Sequence, residues 1–311
     1  MNYLDGNNPL EKLRYVFGEQ LQENVRMSNY TTARVGGCVD GLLIIHSASE
    51  LEHAAGLLWE YNVPFRVIGS GANILVSENG YQGVILVNRA HNIKIETHSE
   101  PFSVLAETGA ILSGIANQAA LRGLSGLEWA ATVPGTVGGA IYGNAGAFGS
   151  DTGKSLILAE IMQPGKVKEV WACDRFEYGY RTSLLKRGSV QAVILSARFK
   201  LEQGKQTEIQ ERMQEFISKR HSSQPTGASM GSTFKNPPGD FAGRLIEAAG
   251  LKGKIVGDAE INTTHANFII NHGKATAEDY YHLIRLVQKT VMDKFNVGLE
   301  LEIEFLGDWK E

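Results

Sequence analysis

GSGANILV, Gly69 to Val76, ends the strand-like run PFRVIG and decides which nucleotide fold the chain can have. A dinucleotide fingerprint needs G-x-G-x-x-G opening a helix, with an acidic residue about 20 positions on. Here Ile74 stands at the third glycine position, and NILVSENG continues as strand or turn. The Rossmann arrangement is therefore excluded. What remains is a glycine loop whose backbone N–H groups, with Ser70 and Asn73, can cradle a phosphate without a helix dipole behind them.

Upstream, GLLIIH (Gly41 to His46) reads as a strand and SASELEHAAGLLWEYN as a helix, with Ser47 and Glu50 at capping-box spacing. LEKLRYVFGEQ reads as a short amphipathic helix. Downstream, GVILV, KIET and SVLAETG are strands, a helix covers Ile111 to Leu121, and strands resume at SLILAEIM, VKEVWA and QAVILSARFKL. Between them VPGTVGGAIYGNAGAFG spreads six glycines over seventeen residues. That density suits a tight connection with positive φ angles, and equally the close approach of a large planar cofactor and its pyrophosphate, with Thr136 and Asn144 as polar contacts. GSDTGKS, Gly149 to Ser155, ends like a P-loop, but only Ser150, Asp151 and Thr152 separate its glycines where four residues are needed.

From about residue 202 the texture changes to a polar amphipathic helix, EQGKQTEIQERMQEFISKR, a candidate boundary. Beyond it lie the loop SMGSTFKNP, a helix FAGRLIEAAG, a strand ANFIIN and a long helix from Thr276 to Phe295. On that last helix Tyr280, Leu283, Ile284, Val287, Val291 and Phe295 share one stripe, which reads as core. LELEIEFLG alternates apolar and acidic residues as a half-buried strand does.

Composition limits the partners. With 311 residues, 43% hydrophobic, the chain is long enough for two or three domains. A formal charge of −4 without a dense Lys/Arg run gives no footprint for nucleic acid. Two distant cysteines, Cys38 and Cys173, suit reduced thiols of the cytoplasm and neither a disulfide framework nor a Cys-based zinc site. The start MNYLDGNNPLEKLRYVF lacks the pattern of a signal peptide, and no apolar run approaches the ~20 residues that cross a bilayer. No metal is expected, and His265, with no second ligand at suitable spacing, reads as a structural hydrogen-bonder.

GSTFKNP, Gly231 to Pro237, raises a separate question. Its serine has none of the G-x-S-x-G context of a nucleophile, and taken alone the segment is turn chemistry.

Taken together, TTARVGG (Thr31 to Gly37), GSGANILV, GLSGLEWAATVPGTVGGAIYGNAGAFG (Gly123 to Gly149), YRTS (Tyr180 to Ser183), GSTFKNP, AGRLIEAAGLKG, HANFIIN and LELEIEFLG resemble, in order, the UDP-N-acetylenolpyruvoylglucosamine reductases of bacterial cell-wall synthesis. The resemblance runs from Thr31 to Gly307. It implies an α+β protein with a vanillyl-alcohol-oxidase/PCMH-type FAD-binding fold of two α+β subdomains, residues 1–86 and 87–201, and a C-terminal α/β substrate domain, residues 202–311. It implies an enzyme that uses NADPH to reduce FAD, and reduced FAD to convert UDP-N-acetylenolpyruvoylglucosamine, a UDP-sugar, to UDP-N-acetylmuramate; a monomer is the expectation, although the sequence does not fix the oligomeric state. Only a strand, a helix and a linker separate YRTS from GSTFKNP, so the chain resembles the shorter form of the family, without its substrate-covering tyrosine loop.

Carried over residue by residue, the resemblance makes Ser232 the proton donor, Arg181 the arginine that stabilises the intermediate, and Glu302 the catalytic glutamate. It assigns Gly69, Ser70, Gly71, Ala72, Asn73, Pro134, Gly135, Thr136, Gly138, Gly139, Asn144 and Gly146 to the cofactor, and Lys235 and Asn236 to the substrate. Taken alone, Arg181 could be a surface ion-pair partner, and Glu302 one of three acids, with Glu300 and Glu304, on a solvated strand face. The chain departs from the family at Ala72, where the loop usually carries a hydroxyl, at Asn262, where serine is common, and at HSSQP (His221 to Pro225), where charged residues are expected opposite the UDP phosphates. Two other functions stand beside this one: a flavin oxidoreductase of the same fold with another substrate, and a binding module that retains the fold without turnover.

Overall fold

The computed structural model describes residues 9–98 and 100–309. The start of the chain, Met1 to Asn8, part of the stretch read as lacking a leader pattern, lies outside them. The chain divides into two compact units built from non-contiguous segments: one takes the chain up to Gln22, Gly41–Gly69 and Gly83–Arg220, the other Glu23–Asp40, Ser70–Gln82 and the chain from His221 onward.

The first unit holds two apolar cores. In the smaller one, helix α1 (Pro9–Phe17) and helix α2 (Ala48–Glu60) cover a sheet in which strand Phe65–Ile68 runs parallel to Tyr81–Asn88, whose other neighbour is Cys38–Ile45. α2 buries Leu51, Ala54, Ala55 and Leu58, spaced three and four apart, against Leu43, Ile45, Val84 and Leu86. Its N-cap differs from the sequence reading in one bond. Ser47 Oγ accepts the Glu50 N–H at 3.1 Å, as the spacing predicts, but the Glu50 carboxylate takes the N–H of His46, at 2.7 Å, and not that of Ser47.

The larger core lies under an antiparallel five-stranded sheet ordered Glu169–Ala172, Leu156–Met162, Val193–Lys200, Ser103–Glu107, Ile93–Glu96. It contains Trp171, Phe176 and Phe199, each fully buried; burial of a side chain of this size stabilises by about 1.5–3 kcal/mol. Helix α3 (Leu112–Ala120), helix α4 (Val137–Gly143) and the single turn α5 (Thr152–Ser155) belong to this layer. Helix α6 (Gln206–Ser223) is mostly polar and buries only Ile209 and Met213. An ion pair from its Arg212 to the buried Glu128, at 3.0 Å, supplements that narrow contact.

In the second unit, strand Ile74–Val76 pairs parallel with Glu304–Leu306, so the NILV run is a strand as read, and the regular part of LELEIEFLG is shorter than its alternation suggests. Strands Ile255–Val256, Ala259–Ile261 and Ile269–Asn271 form an antiparallel meander beside helix α7 (Ala242–Ala248) and helix α8 (Ala277–Phe295). α8 carries the full capping box, Thr276 with Asp279, and its Ala277 N–H is taken by the Glu78 carboxylate at 2.7 Å. Tyr280, Leu283, Ile284, Val287 and Val291 are buried as the stripe requires. Phe295 is the correction: at the last position of the helix, beyond the core, it is 36% exposed.

Candidate active site

Within the first unit the two glycine loops meet. A Cβ on Gly69 would lie 2.2 Å from Thr136 Oγ1, so only glycine lets the first loop close on the second. Thr136 is the N-cap residue of α4 and makes no side-chain cap bond, which leaves the first-turn amides to other acceptors. Gly138 is held from behind: its N–H donates to Thr108 O at 2.8 Å, and an added Cβ would come within 3.1 Å of the Thr108 side chain. Gly135 has φ +118, and the neighbouring Pro134 and Gly139 are exposed; an added Cβ on Gly139 would meet nothing nearer than Thr136 Oγ1 at 3.8 Å. The Val137 and Gly138 amides are taken by Ala110 O at 2.9 Å and Thr108 O at 2.8 Å, so what this segment offers a cofactor is close approach to backbone at the exposed Gly139.

The remaining residues of the first glycine loop belong to the second unit. Gly71, at φ +65, packs so closely on Tyr30 that a Cβ would lie 2.0 Å from its carbonyl oxygen. Asn73 Nδ2 donates to Glu302 O at 3.1 Å, while Ser70 is exposed and Ala72 half-buried.

The near-miss P-loop uses its own groups. Asp151 caps α5 by accepting the Lys154 N–H, and Lys154 Nζ donates to Gly149 O at 2.7 Å. Strands Gly146–Ala147 and Ser150–Asp151 pair across a tight turn whose Phe148 (φ +52) stacks face to face on Phe216 of α6, with centroids 4.2 Å apart. This hairpin walls a cavity of about 740 Å³ in the first unit, lined by Asn144, Phe148, Asp151, Cys173, Tyr178 and Arg181 among others. Cys173 Sγ donates to Gly153 O at 3.1 Å, and burial pushes its thiol pKa up. Burial, then the nearby Cys173 and Asp151, raises that of Tyr178.

Arg181 sits at the tip of a turn closed by reciprocal backbone bonds between Gly179 and Thr182, at 3.1 and 3.3 Å. Its φ of +55 is a left-handed conformation unusual for a residue with a side chain. A residue that the sequence reading passed over joins it here: Arg220 of α6 has its pKa lowered by burial and by the Arg181 charge. Burial and a like charge both disfavour an uncompensated guanidinium, so an anion near this turn would be favoured. The two stand thirty-nine positions apart in the chain, so no local signal announces the pair.

In the second unit GSTFKNP is not a free loop. Ser232 forms a bridge with Phe268, the Thr233 N–H donates to Asn267 O, and the Phe234 N–H to Asn267 Oδ1. On the other edge the Glu302 N–H donates to Thr233 O at 2.9 Å, and Phe234 bridges Leu301. Ser232 and Glu302 therefore lie on adjacent extended segments, both half-buried. Of the two residues assigned to the substrate, Lys235 pairs with Glu300 at 3.1 Å and Asn236 Oδ1 accepts the Ala242 N–H at 3.0 Å, at the start of α7. His265 Nδ1 accepts the Asn267 N–H at 3.3 Å and its ring packs edge-on against Phe268; burial lowers its pKa.

Residues 223–306 match the family described as UDP-N-acetylenolpyruvoylglucosamine reductase, C-terminal domain, and residues 39–165 match the FAD binding domain. The UDP-N-acetylenolpyruvoylglucosamine reductase of Chloroflexus aggregans is 41% identical over 92% of this chain and 97% of its own length. The chain belongs to the UDP-N-acetylenolpyruvoylglucosamine reductase family. Within that family, the Clostridium novyi enzyme of the same name is 37% identical over 99% of this chain and 98% of its own. The crystal structure of the Thermus caldophilus reductase superposes with a TM-score of 0.77 at 35% identity, covering 92% of this chain and 99% of that one. The protein is thus an FAD-dependent enzyme with the α+β fold of that family. Among the described residues no helix is long and apolar enough to cross a membrane.

The contact between Gly69 and Thr136 makes a first test of the cofactor cradle. Gly69→Ala is expected to push the loops apart at an overpacking cost of about 1–3 kcal/mol. FAD affinity, read from flavin retained on dilution, should drop by about tenfold or more; Thr136→Ala in the same chain should restore part of it.

Proposed function

We propose that the protein reduces the enolpyruvyl ether of UDP-N-acetylenolpyruvoylglucosamine to UDP-N-acetylmuramate at the expense of NADPH, in the cytoplasm and as a monomer, with FAD held by residues 1–86 and 87–201 and substrate by residues 202–311. One observation carries the reading: a chain 41% identical, over nearly its full length, to an enzyme of that name folds Ser232 and Glu302 onto hydrogen-bonded neighbouring segments. Gly69, Gly135, Thr136, Gly138 and Gly139 would hold FAD in the first unit, and Ser70, Gly71, Ala72 and Asn73 in the second. Bound FAD would supply hydride transfer from NADPH to the methylene carbon of the enol ether.

The chain's own residues do the rest. Hydride arrival at the methylene carbon leaves negative charge spread from the adjacent carbon into the carboxylate. Arg181, always charged and able to grip a carboxylate through two N–H groups, stabilises that dianion-like species more than the substrate, and Arg220 adds a second positive charge. Ser232 Oγ gives its proton to the carbon that bears the charge, a general acid held at contact distance from a strong base. Glu302, on the adjoining segment, orients the donor and completes the set.

Anaerobic absorbance tests the whole reading. NADPH should bleach the oxidised flavin bands of the purified protein, and addition of UDP-N-acetylenolpyruvoylglucosamine without oxygen should restore them. Bleaching without recovery would point to a different oxidant on the same fold, and failure to bind flavin after reconstitution would point to a binding module.

A further inference from the structure

We infer that Asn144, assigned by its glycine-rich context to the cofactor, instead acts as a positioning residue for Arg181; the inference rests on the catalytic part given to Arg181 above. Asn144 ends α4 in the left-handed region (φ 48) and is only 6% exposed. Its amide is engaged at both ends within the protein: Oδ1 accepts the Gly153 N–H at 3.0 Å, and Nδ2 donates to Gly179 O at 3.0 Å. Gly179 is the residue that closes the Arg181 turn.

The other flank of that turn returns to the same helix. Ser183, fully buried, donates from Oγ to Tyr142 O at 2.6 Å and accepts the Lys186 N–H at 3.1 Å. Two residues on either side of Arg181, the backbone is therefore fastened to the last turn of α4. The first turn of α4 begins at Thr136, which meets Gly69. A seven-residue helix is about 10 Å long, so α4 is a short rigid strut with the cofactor loops at one end and the arginine turn at the other. Arg181 would otherwise fall out of a left-handed conformation that costs about 1–2 kcal/mol for a residue with a Cβ, and a displacement of about 1 Å in such a group can slow a reaction about a hundredfold.

Two substitutions separate this role from cofactor binding. Asn144→Gly keeps the backbone's freedom to be left-handed and deletes the amide; Asn144→Asp keeps an acceptor for Gly153 but cannot donate to Gly179 O. In both, flavin content and the rate of reduction by NADPH should stay within about twofold of wild type. Reoxidation by substrate should slow about tenfold or more, with weaker substrate binding to the oxidised enzyme. In an Arg181→Ala background, Asn144→Gly should cause no further loss, because it acts through the missing side chain. Lost flavin with unchanged reoxidation per bound flavin would return Asn144 to the cofactor and overturn the inference, as would an additive loss beside Arg181→Ala. Should Asn144→Gly fail to fold, Ser183→Ala, which frees the other flank, is read in the same way. A crystal structure of Asn144→Asp distinguishes failure of this inference from failure of the reaction proposed: the 179–182 turn should be displaced whatever the substrate is, and an unmoved turn overturns the positioning role.

Discussion

Ser232→Ala should leave the first half of the reaction untouched and nearly abolish the second. NADPH is expected to bleach the flavin at the wild-type rate, since the hydroxyl takes no part in that step. Reoxidation by the enolpyruvyl sugar should slow by about 10²–10⁴-fold, the usual worth of a positioned general acid. Folding should be almost unaffected, because the bonds that hold the segment come from the backbone of Thr233 and Phe234 and from Asn267, not from the serine side chain. Stopped-flow absorbance after prior reduction checks this directly. Wild-type reoxidation in the variant would remove Ser232 from the proton transfer. Product deuterium content gives a second check: in D₂O the wild-type product carries solvent deuterium at the protonated carbon, and the variant's slow turnover should show a changed solvent isotope effect.

The Ser232 segment also shows where sequence reading stops. Gly, Ser, Lys, Asn and Pro in a row read as turn, and locally they are; what makes the segment extended is pairing with residues 267–268 on one side and 300–302 on the other. Tertiary hydrogen bonding overrides local preference there. Periodicity, by contrast, was a dependable guide to α8, because it buries one face against its own core; it misplaced Phe295, at a helix end where the core runs out, and overextended the last strand, which is regular only over Glu304–Leu306. The two compact units are less visible, since the chain passes between them at residues 22–23, 40–41, 69–70, 82–83 and 220–221 without a change of composition at most of these points. Glycine density marked the two loops as unusual backbone, as the positive φ of Gly71 and Gly135 bears out, but it could not say that Gly69 owes its identity to Thr136, sixty-seven positions away, or that Asn144 spends its amide on Gly153 and Gly179. Lys235 and Asn236 carry the same lesson. Beside the candidate serine, Lys235 forms an ion pair with Glu300 and Asn236 accepts the first amide of α7, partners that the local sequence does not announce.

Removal of the guanidinium at Arg181 is the other large effect. Arg181→Ala is expected to cost about 2.7–4 kcal/mol of transition-state stabilisation, or about 10²–10³-fold in the rate of reoxidation, by analogy with loss of one preorganised donor to an oxyanion. The backbone comparison is fair: alanine and arginine carry the same Cβ penalty in the left-handed conformation at φ +55, so the turn itself is not relieved or strained by the change. Arg181→Lys divides the effect. Lysine keeps the charge but loses the planar fork, so the variant should fall between wild type and alanine, with the larger loss in the rate constant and the smaller in substrate affinity. That split follows from charge being present in both substrate and intermediate, whereas the two-pronged contact tightens only as the second negative charge develops. If lysine and alanine were equally slow, geometry would outweigh charge at this position; if lysine matched wild type, Arg181 would be a simple counter-ion. Arg220 supplies the internal control. Its pKa is held down by burial and by the Arg181 charge, so Arg181→Ala removes a repulsion and leaves Arg220 as a single cation in the same setting. Residual affinity for the anionic substrate should therefore survive in Arg181→Ala and disappear in the double variant Arg181→Ala, Arg220→Ala, measured as the substrate-induced shift of the oxidised flavin spectrum. A double variant no weaker than Arg181→Ala would show that the second arginine does not share the anion.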